Sequence, residues 1–87
     1  TTIAAAEEAS GHVVKSPLVG TFYAGAALDK PPFTAVGKRV SKGDTLFIIE
    51  SMKLMNEVQS EFDGVVSKIM IESGQGVEFG QPILIIE

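Results

Sequence analysis

Lys53 is the residue whose type and setting could carry chemistry. It lies in the run ESMKLMN, residues 50–56, between the segments TLFIIES and MNEVQS, and this pattern predicts a β-hairpin. A two-residue turn would place Met52 and Lys53 at its corners, where positive φ is needed and Asn or Gly is the usual choice. Met-Lys would cost on the order of 1–3 kcal/mol there. Such a conflict is typical of a functional site, and lysine offers a primary amine on a long, flexible stem.

Other reactive groups are scarce. Lys53 is one of six lysines, and by position alone it would be an ordinary solvated charge. The chain has no cysteine, which excludes disulfides and thiolate sites, and its one histidine, His12, argues against structural zinc. His12 is interpreted as a partly exposed residue at a strand edge. Glu50 and Glu57 are interpreted as surface charge around the hairpin. We therefore predict no catalytic residues and no metal site.

Size and charge limit the possible partners. The 87 residues suggest one small domain, and 45% apolar with 21% charged residues is globular composition. A net charge of −4 argues against nucleic acid as a partner. The sequence contains neither a polybasic patch nor an apolar run of about 18 residues, so it predicts no association with a membrane. Residues 1–10, TTIAAAEEAS, are predicted to be a flexible linker remnant of a longer protein, and residues 11–87 the folded domain.

Short apolar segments separated by glycines predict an all-β fold. No segment shows a helical period over three turns, and nine glycines punctuate the chain. The predicted strands are 45–50, 65–71 and 82–86, with weaker patterns at 12–16, 20–23 and 56–60.

An internal repeat refines this fold. Residues 37–50 recur as residues 74–87, an offset of 37 positions, with identical residues at Gly37, Val40, Gly43, Ile48, Ile49 and Glu50. The pair Ser16 and Gly20 recurs as Ser60 and Gly64, an offset of 44 positions. We therefore predict a flattened β-barrel or sandwich of two four-stranded sheets related by a pseudo-two-fold. The hairpin should then lie at the end of the domain opposite the C-terminus.

The hairpin run resembles the biotin-attachment motif, usually Glu-Ala-Met-Lys followed by Leu or Met and then Met. The resemblance to biotinyl domains extends from about Val13 to Glu87. It implies that Lys53 carries covalently bound biotin and that Met52 and Met55 flank it, although Met55 could equally serve in packing. Ser51 stands where the family usually has Ala, which leaves the efficiency of attachment open. The pattern of glycines and neighbouring residues in the second half also follows that of biotinyl domains, at Val65, Gly74, Val77, Gly80 and Pro82.

A predicted protruding loop indicates which group of biotinyl domains the chain resembles most. The offsets of 44 and 37 leave seven extra residues in the first copy, between Gly20 and Gly37. A protrusion here is similar to the "thumb" of bacterial and plastid biotin carboxyl carrier proteins of acetyl-CoA carboxylase, where it can contact biotin. The corresponding stretch has no side-chain hydroxyl, so only backbone groups could hydrogen-bond the cofactor; it comprises Ala24, Gly25, Ala26 and Ala27.

The resemblance also implies the function and the partners. It identifies the chain as a member of the non-catalytic carrier subunits of acetyl-CoA carboxylase, which serve fatty acid biosynthesis. A biotin carboxylase subunit would load the carboxyl group on biotin, and carboxyltransferase subunits would pass it to acetyl-CoA to give malonyl-CoA. A biotin protein ligase would attach the biotin. The implied location is the bacterial cytoplasm, or the plastid stroma for a plant protein.

Three alternatives remain open at this point. A lipoyl domain shares the two-fold sandwich, but its motif usually has Asp before the lysine and Ala after it, unlike Met52 and Leu54. A structural or interaction module without a cofactor would leave Lys53 an incidental charge. The carrier of a different carboxylase is the third possibility, and the thumb argues against it.

Overall fold

The computed structural model describes residues 11–87, and every regular element in that range is a β-strand. The predicted linker, residues 1–10, lies outside the described residues. Within residues 11–87 no helix is long and apolar enough to span a bilayer. The eight strands are β1 His12–Lys15, β2 Gly20–Tyr23, β3 Arg39–Val40, β4 Thr45–Ser51, β5 Leu54–Gln59, β6 Gly64–Ile69, β7 Gly76–Val77 and β8 Pro82–Ile86.

The strands form two antiparallel sheets of four. One sheet has the order β1-β8-β6-β3 and the other the order β5-β4-β2-β7. Each strand of the first sheet has an equivalent four strands away in the chain: β5 for β1, β4 for β8, β2 for β6 and β7 for β3. Replacing each strand by its equivalent gives the order of the second sheet. The predicted flattened sandwich of two pseudo-two-fold-related four-stranded sheets is therefore confirmed.

Equivalent hydrogen bonds show how closely the two halves agree. The Ser16 amide donates to the carbonyl of Gln81 at 2.9 Å, and the Ser60 amide donates to the carbonyl of Asp44 at 2.8 Å. Both serine hydroxyls also donate to the carbonyl two residues further on, at 2.6 Å. The serines are buried, so these bonds satisfy polar groups that would otherwise be costly inside the sandwich. The Ser-x-x-x-Gly repeat thus marks two equivalent crossings between the sheets, from β1 to β2 and from β5 to β6.

The core lies between the sheets and is almost entirely aliphatic. Phe22 and Phe47 are its only aromatic members among the described residues, with ring centroids 5.3 Å apart. Burial of this apolar surface is the main stabilising term in a domain of this size. The remaining members are Val40, Leu46, Ile49, Val66, Ile71, Val77, Ile83, Leu84 and Ile86.

The predicted strand positions agree with the structure to within two residues. The 20–23 and 82–86 strands are observed with the expected bounds, and 45–50 extends by one residue to Ser51. The segment 65–71 is observed as Gly64–Ile69, and 56–60 as Leu54–Gln59. His12 lies on the edge strand β1 as expected, exposed and stacked on Phe62 with ring centroids 3.9 Å apart.

Sheet register places the β4–β5 hairpin and the C-terminus at opposite ends. Thr21 of β2 pairs with Glu50 of β4, so Gly20 lies beside the hairpin. Gly20 also pairs with Val77, which brings the end of β7 to the same edge. The chain then turns into β8, which leads away and ends near Glu87. The hairpin therefore projects from the end of the domain opposite Glu87, as predicted.

Candidate functional site

The β4–β5 hairpin closes with a two-residue turn. Ser51 pairs with Leu54, which leaves Met52 and Lys53 as the two corners. Their φ angles are 53° and 66°, the only positive φ values among the described residues other than glycine. Positive φ at both corners is the type I′ geometry that matches strand twist but strains ordinary side chains. The predicted hairpin is thus confirmed, and its strain is concentrated on Lys53 and the residue before it.

Apolar side chains surround the lysine without being buried. Met52 is 92% exposed, Leu54 67% and Met55 47%. Lys53, the second corner of the turn, is exposed as well. Burial of Met55 is incomplete, so packing does not account for all of its side chain. Exposed apolar residues at a strained tip favour contact with another molecule.

The base of the hairpin is held firmly. Ile49, one residue before Glu50, is fully buried in the core. Asn56 pairs with Ile49, and its side-chain amide donates to the carbonyls of Ile49 at 3.2 Å and Leu54 at 3.3 Å. These bonds fix the two strands just below the turn. A rigid base presents the flexible Lys53 side chain at a defined place.

Gly20 allows β2 to approach the hairpin closely. A Cβ at this position would collide with the carbonyl oxygen of Glu50 and with the side chain of Ile49. The repeat-related Gly64 meets Glu87 and Ile86 in the same way. A glycine at each point is therefore required by packing, which explains why the repeat retains it.

Tyr23 and Glu50 are linked across β2 and β4. The Tyr23 hydroxyl donates to Oε1 of Glu50 at 3.0 Å. This bond raises the pKa of the Tyr23 phenol, and partial desolvation and the negative charge of Glu50 act in the same direction. The expectation that Glu50 is plain surface charge is therefore wrong, since the residue is half-buried and its carboxylate accepts the Tyr23 bond. Glu57 is exposed and accepts a hydrogen bond from Thr45 at 3.2 Å.

The thumb follows β2 and is tied back to the sandwich. Its arms approach at a bridge between Gly25 and Pro32, and the Phe33 amide donates to the Ala24 carbonyl at 2.9 Å. The Ala24 amide in turn donates to Oγ of Ser73 at 2.7 Å. Ala24 therefore has both backbone groups engaged, and Gly25 is buried, whereas Ala26 is exposed and Ala27 half-buried.

The thumb and the hairpin lie on the same sheet but are separated along it. Tyr23, the last residue of β2, pairs with Ile48, four positions before Met52. Four residues of extended strand span about 13 Å. The residues predicted to flank the lysine are thus brought together at the tip, whereas the thumb stretch 24–27 starts further down the sheet.

A sequence profile of the biotin-requiring enzyme family, Biotin_lipoyl, matches residues 12–86. The chain belongs to the Biotin_lipoyl family. Among curated relatives, the biotin carboxyl carrier protein of acetyl-CoA carboxylase from Haemophilus influenzae is 46% identical over 87 residues, covering 100% of this chain and 56% of the relative. The protein of the same name from Streptococcus pyogenes is 52% identical over 79 residues, covering 91% of this chain and 48% of the relative. The chain thus spans about half the length of these relatives.

The Biotin_lipoyl fold is also seen in solved structures. The crystal structure of Kluyveromyces lactis urea carboxylase superposes with a TM-score of 0.75 and 32% identity. The match covers 88% of this chain and 6% of that enzyme. The two-sheet architecture derived from the repeat is therefore that of a domain found inside a carboxylase.

Tyr23 is a residue of this Biotin_lipoyl domain's site that was not predicted from the sequence. It is the only tyrosine in the chain, and it occupies the position of Ser67 in the second copy. That departure from the repeat was the available signal. Its partner could not be found from sequence, because the contact depends on the register of β2 against β4.

Proposed function

We propose that this chain is the biotin-carrying domain of an acetyl-CoA carboxylase and that Lys53 carries the biotin. The observation that supports this most is the exposed Lys53 amine at a strained corner of a type I′ hairpin. The names of the curated relatives, which match across most or all of this chain, support acetyl-CoA carboxylase as the parent enzyme.

The lysine fits the chemistry of attachment. Biotin has a carboxyl group, and an amide bond to it requires a primary amine that another enzyme can reach. Lys38 illustrates the opposite case, since its ammonium donates to the carbonyl of Phe33 at 2.8 Å. Within residues 11–87, Lys53 has no such side-chain hydrogen bond, so its amine is free to enter a ligase active site.

The domain then acts by presenting the cofactor. Bound biotin supplies a ureido nitrogen that holds a carboxyl group in transit between two active sites. The β framework holds Lys53 at the end of the domain opposite Glu87, and tethering raises the local concentration of the prosthetic group at each site. The proposed partners are a biotin protein ligase, the biotin carboxylase subunit and the carboxyltransferase subunits. The proposed product is malonyl-CoA for fatty acid biosynthesis, in the bacterial cytoplasm or the plastid stroma.

The thumb is proposed to contact the biotin ring. Ala24 is already bonded to Ser73 and Phe33, and the Ala27 carbonyl accepts from the Lys30 amide at 3.2 Å, so the Ala26 backbone and the Ala27 amide are better placed to serve. The separation of about 13 Å along the sheet means that the biotinyl-lysine arm would have to fold back from the tip. Tyr23 lies between the two regions and bridges them through its bond to Glu50.

Reconstituted carboxyl transfer tests this proposal. The chain is treated with biotin ligase, biotin and ATP, then combined with biotin carboxylase, carboxyltransferase, ATP, bicarbonate and acetyl-CoA. We expect malonyl-CoA formation to depend on the chain and to vanish in Lys53→Arg, which keeps the charge but offers no primary amine. Lys42→Arg, an exposed lysine in the turn before β4, is the matched control and should retain full activity. Activity that survives in Lys53→Arg would contradict the proposal, as would a lipoyl group on the isolated native protein.

A further inference from the structure

The hairpin end of the domain carries exposed apolar side chains beyond the hairpin itself. Val19 is 62% exposed and Phe79 is 76% exposed. Together with Met52 and Leu54 they form what we call the hairpin-end surface. Large apolar residues exposed together on a small acidic domain favour an interface with another protein.

Sheet register places these residues close to Lys53. Gly20 pairs with Val77, so Val19, the residue before β2, and the turn 78–81 after β7 both lie just beyond the paired strands, as the hairpin turn does. Adjacent strands are about 4.8 Å apart, so β7 lies about 10 Å from β4 across the sheet. An interface of about 800 Å² per partner has a radius of about 16 Å. An interface of this size centred on Lys53 would therefore extend to the hairpin-end surface.

The fold itself does not require apolar residues there. At an offset of 37, Phe79 corresponds to Lys42, and at an offset of 44, Val19 corresponds to Asp63. At the opposite end the Lys42 amide donates to Oδ1 of Asp63 at 2.7 Å, so this pair of positions is adjacent and polar. The same sandwich thus ends in a charged pair at one end and an apolar pair at the other.

The turn that carries Phe79 is held by its neighbours rather than by Phe79. The Gln81 amide donates to the Glu78 carbonyl at 3.0 Å, and the Glu78 amide donates to Oε1 of Gln81 at 3.0 Å. The equivalent turn at Lys42 is closed in the same way by Ser41 and Asp44. A substitution at Phe79 therefore leaves the turn intact.

We propose that Val19 and Phe79 form a docking surface for the enzyme that acylates Lys53, a proposal that rests on the function assigned above. Among the enzymes that act here, only the acylating enzyme must bring its active site to the lysine amine itself. The carboxylase sites instead reach the far end of the biotinyl-lysine arm, so the domain surface can stay further from them. The requirement for close approach therefore selects the biotin ligase as the partner that contacts these two side chains.

Ligation kinetics on the full chain test the docking surface. Phe79→Lys and Val19→Asp introduce the residues that the same fold carries at its other end, and Phe79→Ser removes the apolar group without adding charge. We expect each to lower kcat/KM for biotin attachment by about tenfold, through a higher KM with kcat little changed, as for an interface anchor. Phe79→Leu keeps an apolar side chain and should restore most of the wild-type rate. Lys42→Phe, at the opposite end, should match wild type.

Two further readouts separate this proposal from the assigned function. Acylation of Lys53 by a small activated biotin ester should be equal in wild type and Phe79→Lys, since the ester needs no docking surface. If the ligase labels wild type and Phe79→Lys at the same rate, the docking surface is wrong while biotin attachment stands. If the ligase does not label wild type at all, that result contradicts the assigned function itself. If ligation is unchanged but carboxylation of the biotinylated Phe79→Lys protein falls, the surface serves a carboxylase subunit and the proposal is overturned.

Discussion

The hydroxyl of Tyr23 donates a 3.0 Å hydrogen bond to the carboxylate of Glu50, three residues before the proposed attachment lysine. The bond joins the last residue of β2, where the thumb begins, to the strand that enters the hairpin. Because Thr21 and not Tyr23 is the direct partner of Glu50, the contact is diagonal across the sheet. It gives the thumb and the hairpin a shared polar link on one face.

The pKa of Tyr23 provides the first test of this link. A phenol that donates to a carboxylate is harder to deprotonate, so the pKa of Tyr23 lies above the usual value of about 10. The folded state then holds a proton that the unfolded state loses, so this contribution to stability is present below about pH 10 and declines as the pH rises through the folded pKa. Since Tyr23 is the only tyrosine and tryptophan is absent, tyrosinate absorbance reports it directly. Glu50→Gln should lower the titration midpoint, and an unchanged midpoint would contradict the contact.

Gly20→Ala should destabilise the domain by about 1–3 kcal/mol, the range for overpacking. The new methyl group would meet the backbone of Glu50, which cannot move without separating β2 from β4. Urea unfolding followed by far-UV circular dichroism measures the change. Gly76→Ala, on the neighbouring strand β7 with no atom near its Cβ position, is the matched control and should unfold near the wild-type midpoint. Equal unfolding midpoints for the two variants would contradict the close approach.

Met52→Asn should raise the free energy of unfolding by about 1 kcal/mol, because Asn tolerates positive φ better than Met does. Met52 is 92% exposed, so little apolar burial is lost in the exchange. Leu54→Asn, one residue beyond the turn corners, gains nothing in this way. A lower unfolding midpoint for Met52→Asn would show that the corner is not strained. We expect the stabilised variant to be a poorer ligase substrate, as is common where strain serves function.

Thumb contact predicts a specific pattern of amide shifts on biotin attachment. Spectra of the isotope-labelled domain before and after ligation should show changes at the amides of Ala26, which is exposed, and Ala27, which is half-buried. Ala24 should change less, because its amide is bonded to Ser73. Shifts confined to residues 51–55 would indicate that the biotin stays at the tip and would contradict the contact.

Much of the fold was predictable from the sequence, because the repeat imposes strong constraints. The offsets of 37 and 44 defined two equivalent halves, and the run around Lys53 placed a strained hairpin between them. Strands β3 and β7 were not predicted as segments, since two residues are too short to show a period. The β6 strand begins at Gly64 rather than Val65 because Gly64 pairs with Val40.

The site was predictable at its centre but not in its surroundings. Lys53 and its flanking methionines follow from local sequence, whereas the Tyr23–Glu50 bond arises from register between distant segments. Val19 and Phe79 are brought to the hairpin end only by strand pairing, through Gly20 and Val77. A single exposed apolar residue is common on a protein surface. The contrast with the equivalent residues Asp63 and Lys42 can be interpreted only when the structure shows which end of the domain each pair occupies.

Peptide mapping of the ligated chain tests the central claim most directly. Trypsin cleaves after free lysines but not after acylated ones, and Lys42, Lys53 and Lys68 are consecutive basic residues in this part of the sequence. Biotin on Lys53 predicts one uncleaved peptide, residues 43–68, carrying a single biotinyl group, in place of the separate peptides 43–53 and 54–68. A labelled chain that still yields unmodified 43–53 and 54–68 in full amount, with the biotinyl group on another peptide, would contradict the assignment of Lys53.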